Sequence, residues 1–206
     1  DVIAVEYPPF TSAKMQTNGL SFEILNRAAK HLEYTWKPVF YPPKRALKMI
    51  QGGNWCASFY PANTYKDHHV VDLHKEEFQI SLVRRKVNTP FRWRQLSEHK
   101  GKTVALLRTN EDSTFARQFI EAGITVMFVE TISASLKMVE HGRVDFAMYD
   151  SFSFGLLENK QKSALQFAST SLLDMPVRMF INKNCLNVDR LNLQPINSSL
   201  YEKRLY

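Results

Sequence analysis

The sequence predicts an α/β protein made of two similar halves. Short apolar segments that suit buried strands alternate with amphipathic segments of helical period, and this order favours parallel strands covered by helices. The stretch from Leu136 also repeats the stretch from Leu47 at an offset of 89 residues, with five of fourteen positions identical. Each copy reads as a helix that ends at a glycine and precedes a buried strand. So short a match can arise by chance; if the repeat is real, a ligand should bind in the cleft between the halves.

Composition excludes several classes of protein. The 206 residues can form one sizeable domain or two small lobes, and a content of 44% hydrophobic and 12% aromatic residues indicates a globular chain. No apolar run approaches the roughly 20 residues of a membrane-spanning helix. The chain opens directly on a strand-like segment at Val2, so we expect that any export signal was removed or never existed.

The charged residues and the cysteines limit the partners of the chain. There are 27 basic and 20 acidic residues, but the basic ones are scattered and form no stripe that could follow a nucleic acid, so we expect no nucleic-acid partner. The spacing of Cys56 and Cys185 does not match that of metal ligands. If the compartment is oxidising, the two cysteines can form one long-range disulfide. A structural role for Cys185 is favoured over that of a nucleophile, because the sequence places no activating group beside it.

The first half of the chain is predicted to contain four strands and two helices. In order, we expect a strand at 2–6, a helix at 22–31, a strand at 35–41, a helix at 44–51, a strand at 55–60, a polar crossing segment at 61–73 and a strand at 78–82. The corner Tyr7-Pro8-Pro9-Phe10 ends the first strand, and Pro42-Pro43 opens the second helix, where proline suits the first turn. Asn88-Thr89-Pro90 marks the end of this half.

The second half continues the alternation. In order, we expect a strand at 103–107, a helix around 115–120, a strand at 124–129, a helix at 133–141, a strand ending at 149, a helix at 153–157, a loop at 160–162, strands at 165–168 and 177–181, and a C-terminal helix within 188–206 that returns to the first half. Asp112 suits the N-cap of the helix that Gly123 ends. Ligands of parallel sheets bind at the carboxyl ends of strands, which in this chain are 7–10, 60–64, 108–110 and 149–150.

Several phrases of the sequence point to one family. They are Tyr7-Pro8-Pro9-Phe10, Gly19 with the helix after it, the stretch 41–47, Gly101-Lys102-Thr103-Val104 and Gly142-Arg143-Val144-Asp145. In this order and spacing, over about residues 1–183, the sequence resembles the bacterial extracellular solute-binding proteins of family 3, the periplasmic receptors of amino-acid-type ABC transporters.

The resemblance implies an α/β, two-lobed periplasmic-binding-protein-like fold (type II) with two crossover hinge strands. Residues 1–87 plus 178–206 would form lobe 1, and residues 88–177 would form lobe 2. A small molecule would be trapped by hinge closure without covalent chemistry, so the chain would be no enzyme and would need no cofactor and no metal. We expect a periplasmic monomer whose partner is an ABC transporter permease or a membrane sensor.

The resemblance and the strand ends together give twelve candidate ligand-binding residues. They are Tyr7, Phe10, Tyr41, Arg45, Tyr60, Thr64, Asp67, Arg108, Thr109, Asn110, Tyr149 and Asp150. By resemblance, Phe10 would lie against the ligand, Thr64 and Asn110 would face it, and Asp150 would hold an α-amino group. The tyrosines would form walls, since a tyrosine ring can both pack and hydrogen-bond.

The sequence departs from the family pattern at Asp67, at Thr109-Asn110, where the family has glycine-threonine, and at Cys56, where it has an acid; the departure at Asp67 bears most on the ligand. Asp67 stands where the family has the arginine that clamps an α-carboxylate, and a carboxylate would repel that group. Lys66, Arg45 or Arg108 could substitute for the clamp. Otherwise, Asp67 and Asp150 favour a cationic or amine-bearing ligand.

Two other interpretations stay open at this point. A small-molecule lyase or dehydratase could use the same cleft, although the motifs of serine hydrolases, phosphate-binding loops and zinc proteases are missing. The chain could also be the sensor domain of a signalling protein. Asp67, His68, His69, Asp72 and His74 form a dense set of metal-ligand types, but neighbouring histidines diverge on a helix or strand, so a solvated surface patch is favoured.

Overall fold

The computed structural model describes residues 1–32, 34–62, 65–110 and 113–197, apart from the side chains of residues 188 and 189. The chain divides into two compact units, unit 1 comprising Asp1–Glu77 with Met175–Tyr206 and unit 2 comprising Phe78–Asp174. The predicted lobe boundaries at 87/88 and 177/178 remain a prediction. No helix among the described residues is long and apolar enough to cross a membrane.

The described elements alternate between strands and helices for most of the chain. In order they are β1 (Val2–Ala4), α1 (Leu20–Ala28), β2 (Pro38–Phe40), α2 (Pro43–Gln51), β3 (Ala57–Ser58), β4 (His68–Arg85), a 3₁₀ turn (Leu96–His99), β5 (Thr103–Leu107), α3 (Thr114–Glu121), β6 (Thr125–Val129), α4 (Ile132–Glu140), β7 (Phe146–Asp150), α5 (Ser151–Leu156), α6 (Asn159–Ala164), β8 (Leu165–Phe167), β9 (Leu173–Asn182) and α7 (Val188–Leu191).

Unit 1 is built on a sheet of order β2-β1-β3-β9. β1 pairs in parallel with β2 and β3, and β9 closes the order antiparallel to β3. α1 turns its apolar face to the core, where the ring of Phe22 packs edge-on to Phe59 at 5.0 Å and lies 6.1 Å from Phe40. Burial of such rings is the main source of stability for an amphipathic helix of nine residues.

Unit 2 repeats this arrangement with the order β6-β5-β7-β4. β5 pairs in parallel with β6 and β7, β4 is antiparallel to β7, and β8 also pairs with β4. Asp145 fastens β5 to β7, since its carboxylate accepts the backbone N–H of Thr103 at 2.9 Å and its own N–H donates to the Thr103 hydroxyl at 3.0 Å. The core combines apolar side chains from β4, β5, β7 and α3.

The repeated sequence falls on the same structural motif in both units. α2 leads through Gly53 into β3, and α4 leads through Gly142 into β7. Both glycines have left-handed backbone angles, with φ of +74° and +66°. Residues with a side chain rarely adopt this backbone conformation. The requirement for glycine therefore explains why Gly53 and Gly142 are identical in the two copies of the repeat.

Several predicted element bounds are wrong. Residues 160–162, predicted as a loop, lie within α6, and the polar segment 61–73 becomes β4 from His68 onward. The start of β4 has exposed polar side chains. The sequence there lacks the apolar residues by which a buried strand is recognised. Asp112 lies outside the described residues, and Ser113 caps α3 by accepting the N–H of Ala116 at 3.2 Å. The C-terminal helix is limited to α7 in the described part, and residues beyond 197 lie outside it.

A disulfide joins Cys56 to Cys185, which are 129 positions apart in sequence and have their Cα atoms 5.1 Å apart. It ties the residue before β3 to the turn after β9. The backbone N–H of Asn182 donates to the carbonyl of Cys56 at 2.9 Å, and the buried Asn182 amide donates to the carbonyls of Gly53 and Trp55. The bond therefore reinforces a junction that is already hydrogen-bonded.

We expect the double substitution Cys56→Ala with Cys185→Ala to lower the free energy of unfolding by about 2–4 kcal/mol, because a long loop is released in the unfolded chain. Urea unfolding without reductant measures the loss. Wild type in excess reductant is the matched control and should approach the double variant. Equal stability of oxidised wild type and the double variant would contradict the expectation.

An aromatic cluster in unit 2 encloses a histidine. The ring of His99 lies 4.8 Å from Phe146, 5.3 Å from Trp93 and 6.1 Å from Phe91. Its Nε2 atom is buried and has no hydrogen-bond partner among the described residues. Burial lowers the pKa of His99, Arg84 and Lys102 lower it further, and Glu98 opposes them. The folded protein therefore favours the neutral imidazole.

We predict that stability falls as the pH drops below the ordinary histidine value of 6.5 toward the lower folded pKa of His99, because the unfolded chain takes up the proton first. His99→Phe removes this contribution, so its free energy of unfolding should fall less than that of wild type between pH 7.5 and pH 5. Urea unfolding at several pH values tests the difference. Identical pH slopes in the two proteins would refute it.

Candidate functional site

The turn after β1 is held tightly by backbone hydrogen bonds. Tyr7 and Thr11 exchange N–H to C=O bonds of 2.8 and 3.0 Å, and the Thr11 hydroxyl donates to the carbonyl of Val5 at 2.7 Å. The rings of Tyr7 and Phe10 lie 6.1 Å apart. Phe10 is only 6% exposed, whereas Tyr7 is half-buried, so Tyr7 is the more accessible ring of the turn.

Gly19 fixes this turn against the start of α1. A Cβ atom at Gly19, where φ is +100°, would lie 2.5 Å from the carbonyl oxygen of Phe10. The backbone N–H groups of Leu20 and Ser21 donate to the carbonyls of Pro9 and Phe10, each at 2.9 Å. The close approach of the two segments thus requires glycine, and it sets the position of Phe10.

The end of β2 carries a cation stacked on an aromatic ring. The guanidinium carbon of Arg45, an exposed residue of α2, lies 4.8 Å from the centre of the Tyr41 ring. Such a contact restrains the arginine while leaving its charge available. Tyr41 also contributes to a pocket of about 210 Å³, lined by Asp1, Ile3, Val39, Tyr41, Met49, Asn54, Trp55 and Cys56.

The remaining candidates of unit 1 differ in accessibility. Tyr60 is 3% exposed, and its carbonyl accepts the hydroxyl of Ser58 at 2.7 Å. Asp67 is exposed, and its carbonyl accepts the N–H of Lys183 at 2.9 Å. Thr64 lies outside the described residues. No group of three or more metal-ligand side chains occurs in the parts of the chain that the structure describes.

In unit 2, the loop after β5 holds Arg108, Thr109 and Asn110, all partly exposed. The carbonyl of Asn110 accepts the N–H of Ser113 at 2.9 Å, which connects the loop to the cap of α3. Arg108 forms an ion pair with Glu130. Glu130 was not among the predicted residues, although it follows β6 as Arg108 follows β5.

The two candidates at the end of β7 are buried. Burial, and then the charge of Asp150, raise the pKa of Tyr149 above its ordinary value, so this phenol stays protonated. Asp150 is 0% exposed, and its carboxylate accepts the N–H of Ser153 at 2.6 Å, which caps α5. An aspartate directly before a helical segment indicates an N-cap, so the sequence contained the signal for this role. The family resemblance assigned Asp150 to ligand binding instead.

The structure thus distributes the described candidates over the two units. Tyr7 with Phe10 and Tyr41 with Arg45 are in contact in unit 1, and Tyr149 with Asp150 are neighbours in unit 2. The accessible ones are Tyr7, Tyr41, Arg45, Asp67, Arg108, Thr109 and Asn110. Such side chains can stack on an apolar group, donate hydrogen bonds and meet charge.

Comparison with known proteins identifies the fold. No protein-family model and no curated protein sequence matches the chain. Solved structures do. The ligand-binding core of GluR0 from Nostoc punctiforme in complex with L-glutamate matches with a TM-score of 0.71 and 18% identity, over 93% of this chain and 88% of that one.

Arginine-binding proteins match equally well. The arginine-bound form of a truncated ArgBP from T. maritima has a TM-score of 0.69 and 18% identity, over 93% of this chain and 91% of that one. An ancestral arginine-binding protein bound to arginine has a TM-score of 0.69 and 17% identity, over 92% and 86%. The chain has the two-lobed periplasmic binding-protein fold.

This result confirms the predicted fold class. In the periplasmic binding-protein fold, as in other open α/β sheets, the loops at the carboxyl ends of the strands are the expected place for a ligand. Most of the accessible candidates of both units lie in such loops. The exceptions are Arg45, which lies near the start of α2, and Asp67, which directly precedes β4.

Substitutions at Asp150 separate its capping role from a ligand role. Asparagine caps helices about as well as aspartate, so we expect Asp150→Asn to keep the free energy of unfolding within about 0.5 kcal/mol. Asp150→Ala should lose about 1–2 kcal/mol, because the N–H of Ser153 loses its acceptor. Urea unfolding of both variants measures the difference. If Asp150→Asn is as unstable as Asp150→Ala, the carboxylate does more for stability than cap α5.

Proposed function

We propose that this protein is a solute-binding protein that traps a small polar molecule, such as an amino acid, an amine or a related solute, between two lobes. The observation that carries the proposal is a fold match over 93% of the chain to a ligand-binding core solved with L-glutamate. The arginine-bound structures support the same class of ligand. Hinge closure of the lobes would hold the solute without chemical change.

The proposed binding residues have distinct roles. Tyr7 and Tyr41 supply accessible rings, Thr109 and Asn110 supply hydrogen-bonding groups, and Arg45 supplies a positive charge. Phe10, Tyr60, Tyr149 and Asp150 are buried in this structure, so their contribution is to shape and support the loops. Thr64, Asp67 and Arg108 complete the proposed set.

The biological setting follows from the same proposal. The Cys56–Cys185 disulfide suits an oxidising compartment, which supports a periplasmic or extracellular location. The partner would be the permease of an ABC importer or a membrane sensor that responds to the closed form. The lobes would be residues 1–87 with 178–206 and residues 88–177, and the protein would act as a monomer.

Thermal unfolding and calorimetric titration with a panel of amino acids, amines and short peptides test the proposal. A ligand that binds only the folded protein stabilises it by about 2.7 kcal/mol at 100 times its Kd, so the true solute should raise the Tm as its concentration rises. Recovery of the solute unchanged by NMR separates binding from the lyase interpretation. No binding across the panel, or conversion of a bound solute, would refute the proposal.

A matched pair of variants on α2 locates the site. Arg45→Ala should weaken binding of the solute about tenfold or more if the guanidinium meets a charged group of the ligand. Lys48→Ala removes an exposed cation from the same helix and should change the Kd less than about twofold. Equal effects of the two substitutions would show that Arg45 acts only through net charge.

A further inference from the structure

The ends of β5 and β6 bring a cation and an anion together beside the loop 108–110. The two strands pair in parallel with Leu107 opposite Val129, so Arg108 and Glu130 leave the sheet side by side. The N–H of Arg108 donates to the carbonyl of Val129 at 2.8 Å and continues the ladder one position further. The pairing register of the sheet therefore sets the meeting of these two side chains.

The guanidinium of Arg108 contacts a carboxylate and an aromatic ring among the described residues. Its Nε–H donates to a carboxylate oxygen of Glu130, and its central carbon lies 5.9 Å from the centre of the Phe128 ring. The Arg108 side chain is 30% exposed and that of Glu130 is 51% exposed. A ligand at this loop would thus meet the guanidinium together with its carboxylate partner.

This pairing changes which ligand groups the loop can attract. A guanidinium can bind a carboxylate side-on through its Nε–H and one terminal N–H, but here the Nε–H already serves Glu130, so this mode is closed to a ligand. Glu130 also repels an incoming carboxylate at short range, and salt screens this repulsion at such an exposed position. Exposed ion pairs contribute little to stability, so a structural gain does not account for Glu130.

We propose that Glu130 is a specificity-determining residue that prevents Arg108 from clamping an anionic group, so that unit 2 favours a neutral or cationic part of the solute. The inference rests on the proposed solute-binding function and deepens it. Without Glu130, the charge of Arg108 would favour an anionic group of the ligand. With Glu130 present, the loop disfavours such a group.

L-Glutamate and L-glutamine are suitable probes, because they differ by one side-chain charge at nearly equal size. We expect wild type to bind glutamine more tightly than glutamate. Glu130→Gln should shift the ratio of the two Kd values toward glutamate by about tenfold, since Arg108 gains an N–H for the ligand and the repulsion is lost. Calorimetric titration at 20 and 200 mM NaCl should show a smaller shift at the higher salt concentration.

Asp72→Asn is the matched control. Asp72 pairs with Arg178 at 3.0 Å in unit 1, with side-chain exposures of 46% and 29%, so this substitution removes an ion pair of the same kind from the other unit. It should leave the ratio of Kd values within about twofold. Arg108→Ala combined with Glu130→Gln should lose the gain, because the effect acts through the guanidinium.

The outcomes distinguish this inference from the function on which it rests. If wild type binds a probe and Glu130→Gln leaves the ratio unchanged, the role of Glu130 is overturned while the solute-binding function stands. The same holds if Asp72→Asn shifts the ratio equally, or if the gain persists without Arg108. If neither wild type nor Glu130→Gln binds either probe, the role of Glu130 is overturned, and the solute-binding function is then decided by the wider panel of amino acids, amines and short peptides.

Discussion

Unit 1 of this protein cannot complete its sheet from one continuous segment of chain, whereas unit 2, Phe78–Asp174, can. The antiparallel strand of unit 1 is β9, whose paired residues Phe180 and Ile181 follow the whole of unit 2. The antiparallel strand of unit 2 is β4, which begins in unit 1 but pairs with β7 only through residues 80–83. The pairs Ala57–Ile181 and Ser58–Phe180 are therefore the contacts on which unit 1 depends. Because they join residues far apart in sequence, a large loop-closure entropy opposes their formation.

The accessible candidate residues depend on local supports in the backbone segments beside them. Gly19 lets α1 approach the carbonyl of Phe10, Ser113 caps α3 beside Asn110, and Asp150 caps α5. Each support fixes a backbone segment by hydrogen bonds and leaves neighbouring side chains to face solvent. Loops held in this way lose less conformational freedom when a ligand binds, so more of the interaction energy appears as affinity.

Much of the fold could be predicted because periodicity and glycine placement are local signals. The apolar run 103–107 gives the bounds of β5, and the repeat around Leu47 and Leu136 marks one motif in both units. The exposed start of β4 and the short helix α6 were missed, since polar segments carry no period that separates strand, helix and loop. Propensity alone does not determine the structure of such segments, because their tertiary contacts override it.

The candidate site was less predictable, because accessibility and pairing are properties of the folded chain. The sequence placed Phe10 and Asp150 at strand ends but could not show that both are buried. The partner of Arg108 follows from the register of β5 and β6, which no local pattern encodes. Roles transferred from a family resemblance therefore stay proposals for each residue, even where the fold is shown.

The disulfide closes part of the chain into a covalent ring. Cys56 and Cys185 enclose all of Phe78–Asp174, so the whole of unit 2 lies inside one covalent ring. A protease that nicks the backbone once within unit 2 would open the ring but release no fragment. The nicked molecule would keep both halves together until a reductant separated them.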